Sequence, residues 1–188
     1  MYQDHSLLPR EAVRLAALGV LATAPMPYAA LAAEVRGFTS RIAGPSLELM
    51  GTSIELLRYE GFVRAVDDDR LALTEDGRAE LMRLLRAALR PPMNDVARLV
   101  LALKFRFLHL LPPEDRRVQL AMMIEASESE LARLADLRAR HAGEPGHLIE
   151  WLDREIAAVE DRLAWLCDFH QRLDGAGAAR ATAGAGRR

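Results

Sequence analysis

Cysteine is almost absent from this 188-residue chain, in which Cys167 is the only one. A disulfide within the chain is therefore excluded, and so is a cysteine-rich zinc module. Lysine is equally scarce, because Lys104 is the only one and all other basic residues are arginines. Aromatic residues make up 5% of the sequence and hydrophobic residues 51%. This composition, with charges spread along amphipathic segments, predicts a mostly helical soluble protein.

Targeting and catalytic motifs are also missing. The N-terminus has no basic segment followed by an apolar core and a cleavage site, and no apolar run reaches membrane-spanning length. We therefore expect a cytoplasmic protein without membrane contact. The sequence contains no GxSxG elbow, phosphate-binding loop, HExxH pair or glycine-rich dinucleotide turn. Neither an enzymatic function nor a cofactor is expected.

The sequence has no excess of positive charge. The formal net charge is −2, and residues 1–90 contain eleven arginines against twelve acidic residues. Because lysine and arginine neutralise DNA phosphates, they supply most nonspecific DNA affinity. Strong nonspecific DNA binding is therefore not expected, and any positive charge that contacts DNA must be confined to a local patch of the surface.

The most informative segment begins with a predicted helix from Pro45 to Glu60. Proline suits the first turn of a helix, and apolar residues then recur at helical spacing until Gly61 ends the run. Residues 62–66 and 71–73 alternate apolar and polar or small side chains on either side of an acidic turn. This pattern predicts a β-hairpin with a short tip.

A second helix is predicted directly after the hairpin. The hydroxyl of Thr74 can cap it, while Glu75 and Asp76 favour the positive end of its dipole. Its buried side is expected to comprise Leu81, Leu84, Leu85 and Leu89.

Two helices are predicted before this segment, at Leu8–Thr23 and Tyr28–Val35, and residues 36–43 read as a connector. Three helices followed by a hairpin and a further helix form a winged helix-turn-helix, a nucleic-acid reader. We therefore assign residues 8–90 to a winged helix DNA-binding domain.

The remainder is predicted to be a helical arm over residues 91–174, followed by a disordered tail over 175–188. Its helices are expected at Asp95–Leu111, Glu114–His141 and His147–Asp174. The last helix carries apolar residues at steps of three and four, which is typical of a coiled-coil seam. This seam favours a homodimer, with packing inside one chain as the alternative. The predicted dimerisation residues are Leu148, Leu152, Ile156, Val159, Leu163 and Leu166.

Several short segments occur in an order typical of one family. Leu18–Leu21 lies in the first helix, Ile54–Val63 reads IELLRYEGFV, and Leu71–Arg78 reads LALTEDGR after the hairpin. Phe107–Glu114 and His147–Leu152 follow in the second half. Together they resemble the PadR family of bacterial transcriptional regulators. The second segment is similar to that family's LxxLExxGLV stretch and the third to its Y-x-LTxxGR signature.

The resemblance implies a mostly α protein with an N-terminal winged helix-turn-helix domain and a C-terminal long-helix dimerisation arm. It also implies a homodimer that binds a pseudo-palindromic operator and often responds to a small aromatic or drug-like effector. Two positions depart from the family. Gly51-Thr52 stand where Tyr-Pro is usual, and Asp67–Arg70 replace a longer basic or glycine-rich wing. The family's DNA contacts cannot be copied to these positions.

DNA contacts are predicted on the first turns of the Pro45–Glu60 helix and on nearby arginines. That part of a recognition helix enters the major groove, where serine, threonine and glutamate can bond to phosphates or base edges. The acidic hairpin tip would repel a minor groove. The arginines have the alternative role of solvated surface charges. The predicted DNA-binding residues are Arg41, Ser46, Glu48, Thr52, Ser53, Arg58, Arg64 and Arg70.

Trp151 and Trp165 are the candidate ligand-binding residues, because a flat ring at a dimer cleft can stack on an aromatic effector. Packing in the core or at an interface is the alternative role. Cys167 and His170 lie one helical turn apart, but two ligands do not complete a metal site, so no metal is expected.

Two functional hypotheses follow. The first is a dimeric transcriptional regulator, expected to be a repressor, that leaves its operator when a small molecule binds. The alternative is a PadR-like dimer with weak DNA binding that acts as an effector sensor or a protein-interaction module. The acidic hairpin tip and the neutral first half motivate the alternative.

Overall fold

The structure is a computed structural model that describes residues 7–43, 50–67, 69–89 and 94–185, with the backbone alone for 50–53 and 174–185. The chain divides into two compact units, residues 1–111 and 112–188. The elements of the described residues are, in chain order, α1 (Pro9–Leu21), β1 (Met26–Pro27), α2 (Tyr28–Ala43), α3 (Met50–Tyr59), β2 (Val63–Ala65), β3 (Arg70–Leu73), α4 (Glu75–Arg86), α5 (Asp95–Phe107), a 3₁₀ turn (Leu108–Leu110), α6 (Pro113–Arg140) and α7 (Leu148–Ala185).

Helix α1 forms the centre of the first unit. It is buried along most of its length, and α2, α3, α4 and α5 all pack against it. Its Gly19 allows α5 to approach closely, because a Cβ atom there would lie 2.4 Å from Cε2 of Phe107. The core of this unit is therefore built around α1, and a larger residue at Gly19 would displace α5.

A three-stranded antiparallel sheet with the order β1-β3-β2 lies beside these helices. Strands β2 and β3 form the predicted hairpin, with Val63 opposite Leu73 and Ala65 opposite Leu71. The sheet and the helices around α1 confirm the predicted winged helix-turn-helix fold.

The end of α3 and the start of α4 match the expectations from local sequence. Gly61 has a φ of +81°, and its N–H donates to the carbonyl of Arg58 at 3.2 Å. The N–H of Phe62 donates to the carbonyl of Leu57 at 2.9 Å, which completes a Schellman termination. Thr74 caps α4, because its hydroxyl accepts a bond of 3.0 Å from the N–H of Gly77. Both predictions are confirmed.

The predicted connector at residues 36–43 is wrong, because α2 continues to Ala43. Polar side chains in this stretch bond back to the helix backbone instead of breaking it. The hydroxyl of Thr39 donates to the carbonyl of Val35 at 2.8 Å. Val35, Thr39 and Ala43 are buried at intervals of four, so this stretch continues the inward face of α2.

Helix α3 is described from Met50, so the predicted helix start at Pro45 lies outside the described residues. Helix α4 ends at Arg86, and Leu89 therefore lies beyond the helix to which it was assigned.

In the second unit, α6 and α7 pack against each other along their length. Two ion pairs cross between them, Arg138 with Asp153 and Arg162 with Glu130. Because of its contact with Arg138, the pKa of the Asp153 carboxyl is lowered from its usual value. Each pair joins positions on facing surfaces and is consistent with the register in which the two helices pack.

The division between the units differs from the sequence interpretation. It falls between Leu111 and Pro112 rather than after residue 90, because α5 buries Leu99, Leu103 and Phe107 in the first unit.

The C-terminal end of α7 also differs from the sequence interpretation. The helix continues to Ala185, where a disordered tail was expected from residue 175. Alanine and arginine are strong helix formers, and a helix that is already formed adds residues at low cost.

The only lysine of the chain is buried in the first unit. Lys104 is 1% exposed, and its Nζ donates to the carbonyl of Leu85 at 2.6 Å. That carbonyl lies in the last turn of α4, where the helix leaves its carbonyls without partners. Burial lowers the pKa of Lys104 to about 7, because the charged form is poorly solvated there.

This lowered pKa predicts a specific pH dependence of stability. Between about pH 7 and the usual lysine pKa of about 10.4, the unfolded chain binds a proton that the folded chain does not, so stability rises with pH. The free energy of unfolding of the wild type relative to Lys104→Met should therefore increase by up to about 1.4 kcal/mol per pH unit. Urea unfolding of both proteins at pH 7, 8 and 9 measures this difference. A constant difference would contradict the assignment.

Candidate nucleic-acid interface

Helix α3 packs on the core by one face and leaves the other to solvent. Ile54 and Leu57 are buried, whereas Leu56 is 45% exposed and Tyr59 is 89% exposed. Arg58 is also exposed. A helix held in this way can present its outer face to a large partner without unfolding.

An ion-pair network fixes the C-terminal end of α3. Nη2 of Arg14 lies 2.6 Å from Oε2 of Glu60, and its Nη1 lies 3.2 Å from Oε1 of Glu80. Arg83 continues the network to Glu80 at 2.7 Å and to Glu11 at 3.2 Å. The hydrogen bond from Arg83, followed by the one from Arg14, lowers the pKa of Glu80. The network thus joins α1 and α4 to the end of α3.

The hairpin tip carries its own ion pair. Nε of Arg70 donates to Oδ2 of Asp67 at 2.8 Å, and both side chains are more than half exposed. Asp69 is exposed beside them, whereas position 68 lies outside the described residues. The charge of Arg70 is therefore offset locally by Asp67.

A cleft of about 490 Å³ lies between α3 and the hairpin. The charged residues that line it have both signs: the arginines come from α3 and β3, and the acidic residues come from α3 and the hairpin tip. The polar residues that line it are Tyr28, Glu55, Arg58, Asp67, Asp69 and Arg70. The structure therefore brings together two predicted DNA contacts, Arg58 and Arg70.

The other predicted DNA contacts are more scattered. Arg64 is exposed on β2. Arg41 is exposed in the last turn of α2, where its Nη1 donates to the carbonyl of Gly37 at 2.6 Å, and it lines a separate shallow depression. Ser46 and Glu48 lie outside the described residues. Thr52 and Ser53 lie on α3, of which the structure describes only the backbone there.

Sequence reasoning missed Leu56 and Tyr59 as candidate contacts. Both are apolar or aromatic residues at outward positions of a predicted helix, and this signal was available. Around the helix, Leu56 lies about 100° from the buried Leu57 and about 160° from the buried Ile54, so it points away from the direction that the two share.

The predicted dimerisation residues are distributed over two environments. Leu152, Val159 and Leu166 are buried within the single chain, as expected for packing between α6 and α7. The half-buried members are Leu148, Ile156 and Leu163. Leu152, Val159 and Leu166 are thus already buried without a second copy of the chain, and their role in dimerisation stays a prediction.

The two tryptophans are both on the outside of α7. Trp151 is 54% exposed and Trp165 is 47% exposed, and Trp165 stacks on Phe169 with ring centroids 5.7 Å apart. Fourteen residues of helix separate them, which corresponds to about 21 Å. A single small aromatic molecule therefore cannot touch both in one chain.

The described ranges also bear on metal and membrane sites. Three or more histidine, cysteine, aspartate or glutamate side chains are nowhere grouped in them so as to hold a metal ion. Among the described helices, none combines the length and the apolar character that crossing a membrane requires.

Comparison with known proteins identifies the family. The family model described as "Putative AphA-like transcriptional regulator" matches residues 2–170. The chain belongs to this family. The AphA-like match extends over both units, and it confirms the expectation of a PadR-like transcriptional regulator. No curated protein matches the sequence.

Solved PadR structures are similar to this AphA-like protein over most of its length. A PadR-like regulator from Bacillus cereus is 18% identical, with a TM-score of 0.40 over 87% of this chain and 98% of that chain. Bacillus subtilis PadR in complex with operator DNA is 14% identical, with a TM-score of 0.36 over 85% and 96%. The same protein with p-coumaric acid is 14% identical, with a TM-score of 0.36 over 90% and 99%. These scores are low, so the family assignment rests on the family model.

The ion-pair network at the end of the AphA-like α3 predicts a measurable coupling energy. Side chains of Arg14 and Glu60 are 20% and 30% exposed, so their attraction is only partly screened. A double-mutant cycle with Arg14→Ala and Glu60→Ala, measured as free energy of unfolding in urea, should give about 0.5–1 kcal/mol.

The matched control is the exposed pair at the hairpin tip. The cycle with Asp67→Ala and Arg70→Ala should give less than about 0.3 kcal/mol, because water and salt screen this pair. Equal coupling energies for the two pairs would show that the network does not hold α3.

Proposed function

We propose that this AphA-like protein is a dimeric transcriptional regulator, acting as a repressor, that binds a pseudo-palindromic operator. The outer face of α3 enters the major groove, and the β2–β3 hairpin lies beside the DNA backbone. The observation that carries the proposal is the exposed face of α3 next to the hairpin, in a chain whose family regulates transcription. The major groove of B-DNA is wide enough to admit one α-helix, so α3 can enter it in this arrangement.

The charge distribution supports selective rather than indiscriminate binding. Arg58 and Arg64 are exposed on α3 and β2, whereas Arg14 and Arg70 are engaged by carboxylates. Because Asp67 and Asp69 line the same cleft as Arg58, counterion release there contributes less affinity than on a purely basic surface, and discrimination between sequences must come from base contacts.

The dimer and the effector belong to the same proposal. The second unit joins two copies, and the outward tryptophans of α7 contribute to the surface between them or to an effector site in each chain. Bacillus subtilis PadR forms a complex with p-coumaric acid. By analogy, a small aromatic molecule is the proposed effector, and the regulator acts in the cytoplasm.

Fluorescence titration with the duplex upstream of the protein's own gene tests operator binding. We expect two chains per duplex and at least tenfold preference over random duplex at physiological salt, with a shallow dependence of affinity on salt. Arg58→Ala should weaken both duplexes and reduce the salt slope by about 0.9, whereas Arg154→Ala on the exposed surface of α7 should change neither. Equal affinity for both duplexes at all salt concentrations would refute operator binding at this site.

The acidic tip makes Asp67 a restraint on DNA binding. Asp67→Asn removes a negative charge near the groove and releases the Arg70 guanidinium for a phosphate. We expect affinity to rise about twofold to fivefold at low salt and the salt slope to steepen by about one. Titration of the same operator duplex at several salt concentrations measures both.

Asp69→Asn is the matched control, since it removes the same charge without touching the Asp67–Arg70 ion pair. Its affinity should rise by a smaller factor, with the salt slope unchanged. If both variants bind no better than the wild type, the hairpin does not approach DNA, which would favour the sensor or protein-interaction function.

A further inference from the structure

Helix α3 presents an apolar surface where a polar one would be expected on a DNA reader. Leu56 and Tyr59 are 45% and 89% exposed, and they lie three residues apart on the outward side of the helix. Residues at this spacing are neighbours on a helix surface, with Cβ atoms about 5–6 Å apart. The two side chains thus form one patch, opposite the buried Ile54 and Leu57.

The patch is set among charges. Glu55 and Arg58 are exposed on the same helix and line the cleft beside the hairpin. A purely apolar partner would bury these charges without partners, at a high cost in free energy. A DNA major groove can satisfy them, because phosphates accept from arginine and the cytosine amine donates to glutamate.

We infer that Leu56, flanked by Tyr59, reads the 5-methyl groups of thymine in the major groove. Leucine has no hydrogen-bonding group in its side chain, and the thymine methyl is the apolar group that base pairs present in this groove. The inference rests on the proposed function and deepens it, since it names the base that the outward face of α3 recognises.

The test removes the methyl group from the DNA rather than from the protein. A duplex is first selected from a random library by the full chain, and its thymines are then replaced by deoxyuridine, which lacks only the 5-methyl group. Wild-type protein should lose affinity about threefold to fivefold for each contacted thymine, the amount expected for one buried methyl group. Replacing thymines one at a time locates the contacts.

Protein variants connect this loss to the side chain. Leu56→Ala should bind the selected duplex more weakly and should bind the thymine and uracil duplexes with equal affinity. Val118→Ala is the matched control, because Val118 is an apolar residue of α6 that is 55% exposed. It should keep the full sensitivity of the wild type to uracil. Circular dichroism checks that each variant is folded.

The possible outcomes separate the inference from the proposed function. If wild-type protein selects a duplex and binds its uracil form equally well, thymine readout is wrong while operator binding stands. If Leu56→Ala keeps the wild-type sensitivity to uracil, another residue reads the methyl groups and the inference is also wrong. If no duplex is enriched over random DNA, both the proposed function and the inference fail. The uracil comparison uses the wild type alone, so it holds even if a variant does not fold.

Discussion

Helix α1 is surrounded by α2, α3, α4 and α5, and the positions of all four follow from how they pack on it. The helix can be enclosed in this way because it is rich in alanine and carries Gly19 where the ring of Phe107 approaches. Arg14 extends from this centre to the end of α3, where it contacts Glu60. The orientation of α3, the helix proposed to face DNA, is thus set by the same element that organises the core.

Carboxylates of the same unit engage several of the arginines around this core. Arg14 contacts Glu60 and Glu80, and Arg106 contacts Glu34 at 2.5 Å. The formal net charge of −2 reflects the excess of acidic over basic residues, and these contacts offset several arginines locally. For the proposed DNA reader, such a surface predicts little nonspecific affinity and a selectivity that depends on the exposed side chains of α3.

Local sequence predicted the features that local interactions determine. The termination of α3 at Gly61 and the cap at Thr74 each depend on hydrogen bonds within a few residues, and the hairpin depends on a period of two over a short stretch. The C-terminal extension of α2 could not be predicted in this way. Gly37 and the polar residues after it resemble a connector, and only burial of Val35 and Thr39 in the folded unit favours a helix.

Burial of a side chain against a segment that is distant in the sequence also could not be predicted from the sequence. The sequence shows that Lys104 is unique, but not that it reaches the last turn of α4. It likewise shows an apolar seam on α7 without distinguishing α6 from a second copy as its partner. Leu56 is the opposite case, because its outward position follows from helical geometry and could have been read directly.

Hydrogen–deuterium exchange of the full chain, with and without a duplex that it binds, tests the central claim that α3 is the DNA-facing element. DNA bound across α3 and the hairpin should slow exchange of the backbone amides in α3, β2 and β3, and leave α6 unchanged. Slowed exchange confined to α6 and α7, with α3 unaffected, would contradict this account.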